Sequence, residues 1–353
     1  MAQALRLAVD VHPLLVDHRG IGRYARALLR RILPRDDIDA TLLLRGPLPG
    51  LRARALATEL GVARVRVAGR VPRGTQVLWS PWNGTFFEPN GAVNVVTMHD
   101  AYPFVSPATD PAKRLREQAP FRRSVESAQR ILANSAWTRN ELTQYLGADP
   151  ARIVVIHLAA GDCFTPGTPQ ELPAGLHAND YILAVGVDEP RKNLATLRAA
   201  HRAAFPHREL ELVIVTNADF PGARCLQWLS AERLRDLYRG ARCFAMPSTH
   251  EGFGMPLLEA MGCGAPVLAS RAAALPETCA QAALYVDAPA DVDAWAAALR
   301  ALAGDDPAAL ALRQALRTRG LQHAAAFTWQ ATADATLAEL RAAGATTESS
   351  SSG

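Results

Sequence analysis

The sequence predicts an α/β protein made of two doubly wound parallel-sheet domains, and three observations predict it. The chain has 353 residues, which at about 150 residues per domain sets the expectation at two. Short apolar runs alternate with stretches of helical period almost throughout, and the runs are too evenly apolar to belong to sheets with one wet face. One aperiodic stretch rich in proline and glycine, Thr165–Asp180 (TPGTPQELPAGLHAND), divides this alternation into two series and reads as the connection between domains.

The elements follow in order. Strands of the first series are expected at Leu5–Val9, Ala40–Leu44, Val77–Ser80, Val93–Met98, Ile131–Asn134 and Ile153–His157, with helices at Arg23–Leu33 and Ala136–Leu146. Each strand is a short aliphatic run of the kind that suits a sheet covered on both faces. The second series places strands at Tyr181–Val185, Leu210–Val215, Cys225–Leu229, Arg242–Met246, Pro266–Ala269 and Ala283–Val286. Its helices are Leu194–Ala204, Ala231–Arg239, Pro256–Met261 and Val292–Leu302, where the apolar residues recur with helical period. Residues 112–130 are also expected to be helical, but split by Pro120 into two short helices. The tail 346–353, ending in SSSSG, is expected to be disordered.

Composition narrows the function. Apolar residues make up 49% of the chain and charged residues 20%, a globular balance that excludes a largely disordered protein. No run reaches about 18 uninterrupted apolar residues, so no transmembrane helix is expected. Arg6 and Asp10 inside the first apolar run mark it as a buried strand and not a secretion signal. The five cysteines, at 163, 225, 243, 263 and 279, form no CxxC pair. They fit a reducing cytoplasm better than a disulfide scaffold or a thiolate zinc site, and Cys163 and Trp228 are assigned to packing. A net charge of +4 gives no argument for a nucleic-acid partner.

Ligands of open parallel sheets bind beyond the carboxyl ends of the strands, so the residues that follow each strand carry the functional signal. After the first strand comes Asp17-His-Arg-Gly-Ile-Gly-Arg-Tyr24, a glycine turn opening a helix, and after Val93–Met98 comes His99-Asp100. Tyr181–Val185 is followed by Val187-Asp-Glu-Pro-Arg-Lys-Asn193, and Arg242–Met246 by Pro247-Ser-Thr-His-Glu-Gly-Phe-Gly-Met-Pro256. The last is the sharpest. Gly252 and Gly254 allow close backbone approach, and Pro256 suits the first turn of a helix. Free amides and the dipole there favour an anion such as a diphosphate. Glu251 precedes this turn, and Glu259 lies about one turn into the helix. Taken singly, a Gly-x-Gly helix start also serves any tight strand–helix turn, and either glutamate also reads as a solvated or capping residue. Lys192, with Lys113 one of only two lysines, lies in the segment after a strand in a chain that otherwise uses arginine, which points to a selected role. His99 also reads as a satisfied strand-end histidine, and Asp100 as a brace for its loop. Asp37-Ile-Asp39 and Asp291-Val-Asp293 have the form of a DxD metal motif, but one follows a helix and the other opens one. Both are assigned to solvated surface, and no metal site is expected.

Taken together, Glu251-Gly-Phe-Gly-Met-Pro-Leu-Leu-Glu259 resembles the E-x7-E motif of retaining glycosyltransferases with the GT-B fold, those of glycosyltransferase family 4. Met246-Pro-Ser248, Glu259-Ala-Met-Gly-Cys-Gly-Ala-Pro-Val267 and Leu275-Pro-Glu277 around it resemble the same family. So do Gly20-Ile-Gly-Arg-Tyr24, His99-Asp100, Ala133-Asn-Ser135, Glu189-Pro-Arg-Lys-Asn193 and Phe327-Thr-Trp329, in the family's order, so the resemblance covers nearly the whole chain. It implies two Rossmann-like domains facing across a cleft. Residues 1–168 would form the acceptor side and 169–330 the nucleotide-sugar side, with a terminal helix at 331–345 crossing back to the first domain.

The resemblance also implies roles. Glu251 lies by the donor sugar, with the Gly252, Phe253 and Gly254 amides on its hydroxyls and Met255 in the same donor-binding turn. Glu259 accepts hydrogen bonds from the ribose hydroxyls. Arg191 and Lys192 bind the diphosphate and stabilise it as a leaving group, while Gly20, Ile21 and Gly22 close over the phosphates from the first domain. His99 approaches the transferred sugar, to position the acceptor or stabilise charge at the anomeric carbon. The implied activity is retaining transfer of a hexose from a nucleotide-diphosphate sugar to a hydroxyl of a glycan or lipid-linked acceptor, with neither a metal nor a resident cofactor. The motifs look most like those of bacterial mannosyltransferases of surface-polysaccharide assembly, which implies GDP-mannose as the donor. A GT-B nucleotide-sugar 2-epimerase and a catalytically silent GT-B partner subunit are the alternatives. The family generally spends a further helix between Val215 and Ser230 that this chain lacks, so its base-contacting segment departs from the pattern. Residues 112–130 hold six basic residues (Lys113, Arg114, Arg116, Arg122, Arg123 and Arg130) against Glu117 and Glu126, a net +4. This is either a solvated face or a docking surface for anionic lipid, which would make the protein cytoplasmic and peripheral at the membrane.

Overall fold

The first apolar run of the chain forms β1 (Leu5–Asp10), buried along nearly all its length. The computed structural model describes residues 4–17, 20–46, 49–62, 66–207, 210–227 and 229–350, without the side chains of 49, 50, 53 and 346–350. From β1 the chain continues through α1 (Gly20–Ile32), β2 (Ile38–Leu43), α2 (Pro49–Leu60), β3 (Arg66–Ala68), β4 (Val77–Ser80) and β5 (Val93–Met98). The single turn α3 (Tyr102–Val105), α4 (Pro111–Ser127), β6 (Arg130–Ala133), α5 (Ala136–Leu146) and β7 (Ile153–Val155) follow. Among the described residues these seven strands pair in parallel in the order β3-β2-β1-β4-β5-β6-β7.

A second sheet repeats the plan. Its elements are β8 (Tyr181–Val185), α6 (Leu194–Ala204), β9 (Glu211–Val215), β10 (Arg224–Leu226), α7 (Ala231–Gly240) and β11 (Cys243–Met246). They continue with α8 (Met255–Cys263), β12 (Val267–Ser270), α9 (Leu275–Cys279), β13 (Ala283–Val286), α10 (Val292–Ala303) and α11 (Pro307–Ala324). The order is β10-β9-β8-β11-β12-β13, again all parallel. Leu194 and Leu197 of α6 and Trp295 and Leu299 of α10 bury one face of this sheet over Ile182, Ile214 and Leu268. In each sheet the strand order reverses beside the first strand, between β1 and β4 and between β8 and β11. Those are the switch points at which a doubly wound sheet opens a crevice beyond its carboxyl ends.

The last helix, α12 (Trp329–Ser350), belongs with the first sheet. Trp329, Ala333, Leu337 and Leu340 are buried, on a helix that packs against α1, β4 and β5. Thr332 Oγ1 donates to the His157 carbonyl at 2.9 Å, and Arg130 pairs with Glu339 at 2.7 Å. The chain therefore divides into one unit of Met1–Leu158 with Trp329–Gly353 and another of Ala159–Thr328.

The departures from the sequence reading have local causes. Strand β3 carries no apolar run, because it is an edge strand that pairs only with β2. Helix α1 begins at Gly20, three residues before the expected start at Arg23. Helix α4 is one helix with Pro120 inside it. Proline costs the helix one amide donor and crowds the preceding turn, but Phe121, Ser124 and Val125 just beyond it are buried and hold the second half in line. Arg130 leaves the basic stretch by turning to Glu339. The stretch Thr165–Asp180 is not the connection, since it is tied into the second unit. Arg239 donates to the Thr165 carbonyl at 2.9 Å, and Arg233 pairs with Glu171 at 2.7 Å. The units accordingly divide at 158/159 and 328/329, not at 168/169 and 330/331. Helix α12 runs to Ser350, five residues into the tail expected to be disordered, because adding residues to a packed helix costs little once it is nucleated. Residues 351–353 and Trp228 lie outside the described residues.

Candidate functional site

The second unit holds a charged candidate site, at its switch point. Beyond β8 the chain makes a tight turn, Pro190–Lys192, and Asn193 adopts the left-handed conformation at φ 52°. Asparagine tolerates that region better than most residues. Its side chain donates to the carbonyls of Pro289 at 2.6 Å and Pro247 at 3.2 Å, so it anchors the turn to the loop beyond β11. The Thr249 amide donates to the Arg191 carbonyl at 2.8 Å and joins the two loops a second time.

This pairing of loops brings three of the predicted residues together. Lys192 Nζ lies 2.6 Å from Glu251 Oε1 and Arg191 Nη1 lies 3.2 Å from Glu251 Oε2, while Arg191 Nε pairs with Glu189 at 2.8 Å. Burial alone would raise the Glu251 carboxyl, but the charges of Lys192 and Arg191 and hydrogen bonds from Lys192 and Ser248 outweigh it and hold the group below the usual carboxylate range. Glu251 is thus a buried anion at neutral pH, held between two cations.

Three residues on, Gly254 caps α8 at φ 103°, and a Cβ there would stand 2.9 Å from Leu275 Cδ2. Only glycine fits that position without strain. Phe253 between the glycines is buried and meets the Phe327 ring edge-on at 6.2 Å, and Thr278 Oγ1 donates to the Phe253 carbonyl. Pro256 lacks an N–H and the Leu257 amide donates to the Gly254 carbonyl at 2.9 Å, so Met255 at the first helical position is the donor nearest the helix start. Glu259 is buried within α8, and Tyr238 donates to its Oε2 at 3.3 Å. The two glutamates therefore have different neighbours: Glu251 sits among cations and Glu259 against a tyrosine. The segment between Val215 and Ser230 keeps a short β10, and the Asp188 amide donates to Asn217 Oδ1 at 2.9 Å at the end of β9.

The first unit holds the other predicted residues. Gly20, Ile21 and Gly22 form the first turn of α1. A Cβ on Gly22 would stand 2.1 Å from the Asp17 carbonyl oxygen, so the glycine permits the loop to return across the helix start. Arg26, one turn on, fixes the same loop by donating to the carbonyls of Leu14 at 2.7 Å and Asp17 at 2.6 Å. His99 follows β5 and is buried. Its Nε2 donates to the Pro81 carbonyl at 3.1 Å, which leaves Nδ1 as the acceptor, and Tyr24 meets the ring edge-on at 4.8 Å. Burial lowers its pKa to about 4, against the opposing pull of the Pro81 carbonyl and Asp17. The imidazole is therefore neutral at neutral pH. Asp100 braces its loop by accepting the Tyr102 amide at 3.2 Å.

Sequence reasoning missed Asp10, the last residue of β1. It is fully buried, accepts the His12 amide at 3.0 Å through Oδ1, and leaves Oδ2 without a hydrogen-bond partner. Burial pushes its pKa up to about 7 against the His12 amide, Arg45 and the Phe86 amide. Its place at a strand end was the available signal, masked because it also read as an interruption of an apolar run. The DxD look-alikes have structural partners: Asp37 pairs with Arg35 and Arg341, Asp39 with Arg66, and Asp291 caps α10.

Two doubly wound parallel sheets, with an E-x7-E turn entering a helix at the switch point of the second, define a GT-B glycosyltransferase. The model of the family described as Glycosyltransferase Family 4 matches residues 41–159, and that of Glycosyl transferases group 1 matches residues 179–305. The O-antigen chain mannosyltransferase B of Escherichia coli is 34% identical over 259 residues, 67% of this chain and 67% of that protein. The chain belongs to glycosyltransferase family 4. It is also 31% identical over 240 residues to a D-inositol 3-phosphate glycosyltransferase of Mycobacteroides abscessus, a match spanning 60% of this chain and 52% of that relative. Sucrose-phosphate synthase from Thermosynechococcus elongatus superimposes with a TM-score of 0.72 over 97% of this chain and 100% of that one, at 18% identity, and so shares the fold.

Proposed function

We propose that this protein is a retaining hexosyltransferase that moves mannose from GDP-mannose to a hydroxyl of a glycan or lipid-linked acceptor. The observation that carries the reading is the Lys192–Glu251–Arg191 cluster beside the glycine-capped start of α8. A departing nucleoside diphosphate gathers negative charge, and two fixed cations with a helix dipole compensate it without an ion. Among the described residues no three His, Cys, Asp or Glu side chains gather as metal ligands. The mannose assignment draws on the E. coli relative, named as a mannosyltransferase.

In the reaction the acceptor oxygen attacks the anomeric carbon on the face that the phosphate leaves. The carbon–phosphate-oxygen bond breaks, the phosphate oxygen takes the acceptor proton, and the configuration is retained. Glu251 and the Gly252–Met255 turn hold the sugar, Glu259 the ribose, and Arg191 and Lys192 the diphosphate. Gly20–Gly22 close over the phosphates. His99, neutral, accepts a hydroxyl through Nδ1 and carries no charge into the transition state. A screen of GDP-, UDP- and dTDP-sugars, with NMR of the product's anomeric proton, tests this directly. GDP-mannose is expected to be the donor used and the product α-linked, with full activity in EDTA. Inversion, or activity that EDTA abolishes and magnesium or manganese restores, would overturn the corresponding part.

A second part of the reading concerns the membrane. Lys113, Arg114, Arg116, Arg122 and Arg123 of α4 are exposed, and Leu115 and Val105 expose apolar surface beside them. Each basic residue near an anionic surface contributes about 1 kcal/mol, which suits a lipid-linked acceptor. Among the described residues no helix is long and apolar enough to cross a membrane. Sedimentation with anionic vesicles is expected for the native chain and lost on Arg122→Gln with Arg123→Gln; unchanged sedimentation would remove the assignment.

A further inference from the structure

Five of the six tryptophans lie within the described residues. Trp79, Trp82, Trp295 and Trp329 are buried, whereas Trp137 is 41% exposed. It is the second residue of α5, just beyond the carboxyl end of β6, and its neighbours are tied to His99. Asn134 Nδ2 donates to the His99 carbonyl at 2.8 Å, and Thr138 Oγ1 donates to the same oxygen at 3.4 Å.

The exposed ring is held in one orientation. Its Nε1–H donates to Glu141 Oε1 at 2.8 Å, and Glu141 Oε2 accepts the Ala101 amide, two residues past His99, at 3.4 Å. Glu141 is only 4% exposed. Burying a carboxylate is unfavourable unless its hydrogen bonds are made, and here they fix an indole plane and the loop after His99 together. An indole with its N–H already satisfied offers an electron-rich apolar face. The C–H face of a pyranose matches such a surface.

We propose that Trp137 is the platform on which a sugar ring of the acceptor stacks, with Glu141 as the residue that positions it. This rests on the glycosyl-transfer reading above and adds the chemical class of the acceptor, a pyranoside.

The test is fluorine NMR of the full chain labelled with 5-fluorotryptophan, the Trp137 resonance being assigned from its loss in Trp137→Phe. Methyl α-mannoside, methyl α-glucoside and N-acetylglucosamine are titrated, with glycerol as a polyol that has no ring face. At least one glycoside is expected to move the Trp137 resonance saturably while glycerol leaves it in place. If none of the glycosides moves it, or glycerol moves it equally, the platform is wrong. Glu141→Gln keeps an acceptor oxygen and should preserve the response, whereas Glu141→Leu should weaken glycoside affinity by about tenfold, the upper range for one oriented aromatic contact. Equal affinity in the two variants would remove the positioning role, and if Glu141→Leu does not fold, the native titration still decides the platform. No donor is present in the titration, so a failed donor screen and a failed platform give separate results.

Discussion

Asp10 and His99 are both buried at strand ends of the first sheet, and their protonation equilibria oppose each other. Between about 4 and its ordinary 6.5, His99 stays neutral in the folded protein while the unfolded chain takes up a proton. Acid therefore removes up to about 3 kcal/mol of stability through this residue. Asp10 keeps its proton in the folded protein up to about 7, whereas its ordinary value is 3.8. Its contribution is complete at low pH and falls by up to about 4 kcal/mol as pH rises through that range. The native protein should thus show a shallow pH dependence of unfolding between pH 4.5 and 6.5. Asp10→Asn should expose the histidine slope, with stability rising as pH rises, and urea midpoints at both pH values would reveal it; an unchanged slope would refute the assignment. The charged cluster gives another residue-scale expectation. Lys192→Ala should lower turnover by about 10²–10³-fold, as for loss of one electrostatic donor. Glu251→Gln removes the negative charge that Lys192 and Arg191 share, so GDP should bind about tenfold more tightly, a gain of about 1.4 kcal/mol, while transfer slows. Calorimetric titration showing weaker GDP binding in Glu251→Gln would mean that the cations do not serve the diphosphate.

At the scale of elements, glycines act differently at helix starts and helix ends. Gly147 ends α5 at φ 65°, and nothing lies within 4 Å of a Cβ placed there. Gly147→Ala should therefore cost only the conformational strain, about 1 kcal/mol. At Gly22 the space is already filled by the Asp17 carbonyl, and Gly22→Ala should cost more, about 1–3 kcal/mol, because backbone has to move. Denaturant midpoints of the two variants order the two effects. The same contrast between local and non-local causes explains what could be read in advance. Central strands such as Val93–Met98 were legible because burial on both faces demands an unbroken apolar run. Edge strand β3 was not, since its pairing with β2 supplies what its sequence does not. Pro120 misled because the residues that override it, Phe121 and Val125, act through packing rather than local preference. In the site, Lys192, Glu251 and Gly254 stood out as residues following strands. Their mutual pairing did not, because it depends on β8 and β11 being neighbours. The partners of Glu141 and the missing partner of Asp10 Oδ2 are likewise products of tertiary burial and leave no pattern along the chain.

At the scale of the whole molecule, the chain leaves its first unit at Leu158 and returns to it at Trp329. Each large apolar side chain that α12 buries is worth about 1.5–3 kcal/mol, a substantial share of the stability of a domain. Ending the chain after Thr328 should therefore remove hydrogen-exchange protection from β1–β7 and leave β8–β13 protected. Equal protection in both units of the shortened chain would show that α12 is an accessory to the first unit and not part of its core.

That return has a consequence for how the protein is made. Synthesis proceeds from the amino end at about 5–20 residues per second, so the segment that completes the first sheet emerges only after the whole second unit has been translated. The unit that begins first finishes last. During that interval the surfaces of β4, β5 and α1 that α12 will cover have no covering, and a nascent chain is most exposed to chaperone capture or proteolysis in the half it started with. A ribosome that stalls within the second unit releases no chain with a complete first unit, which ties the quality control of the first unit to translation of the residues after Thr328.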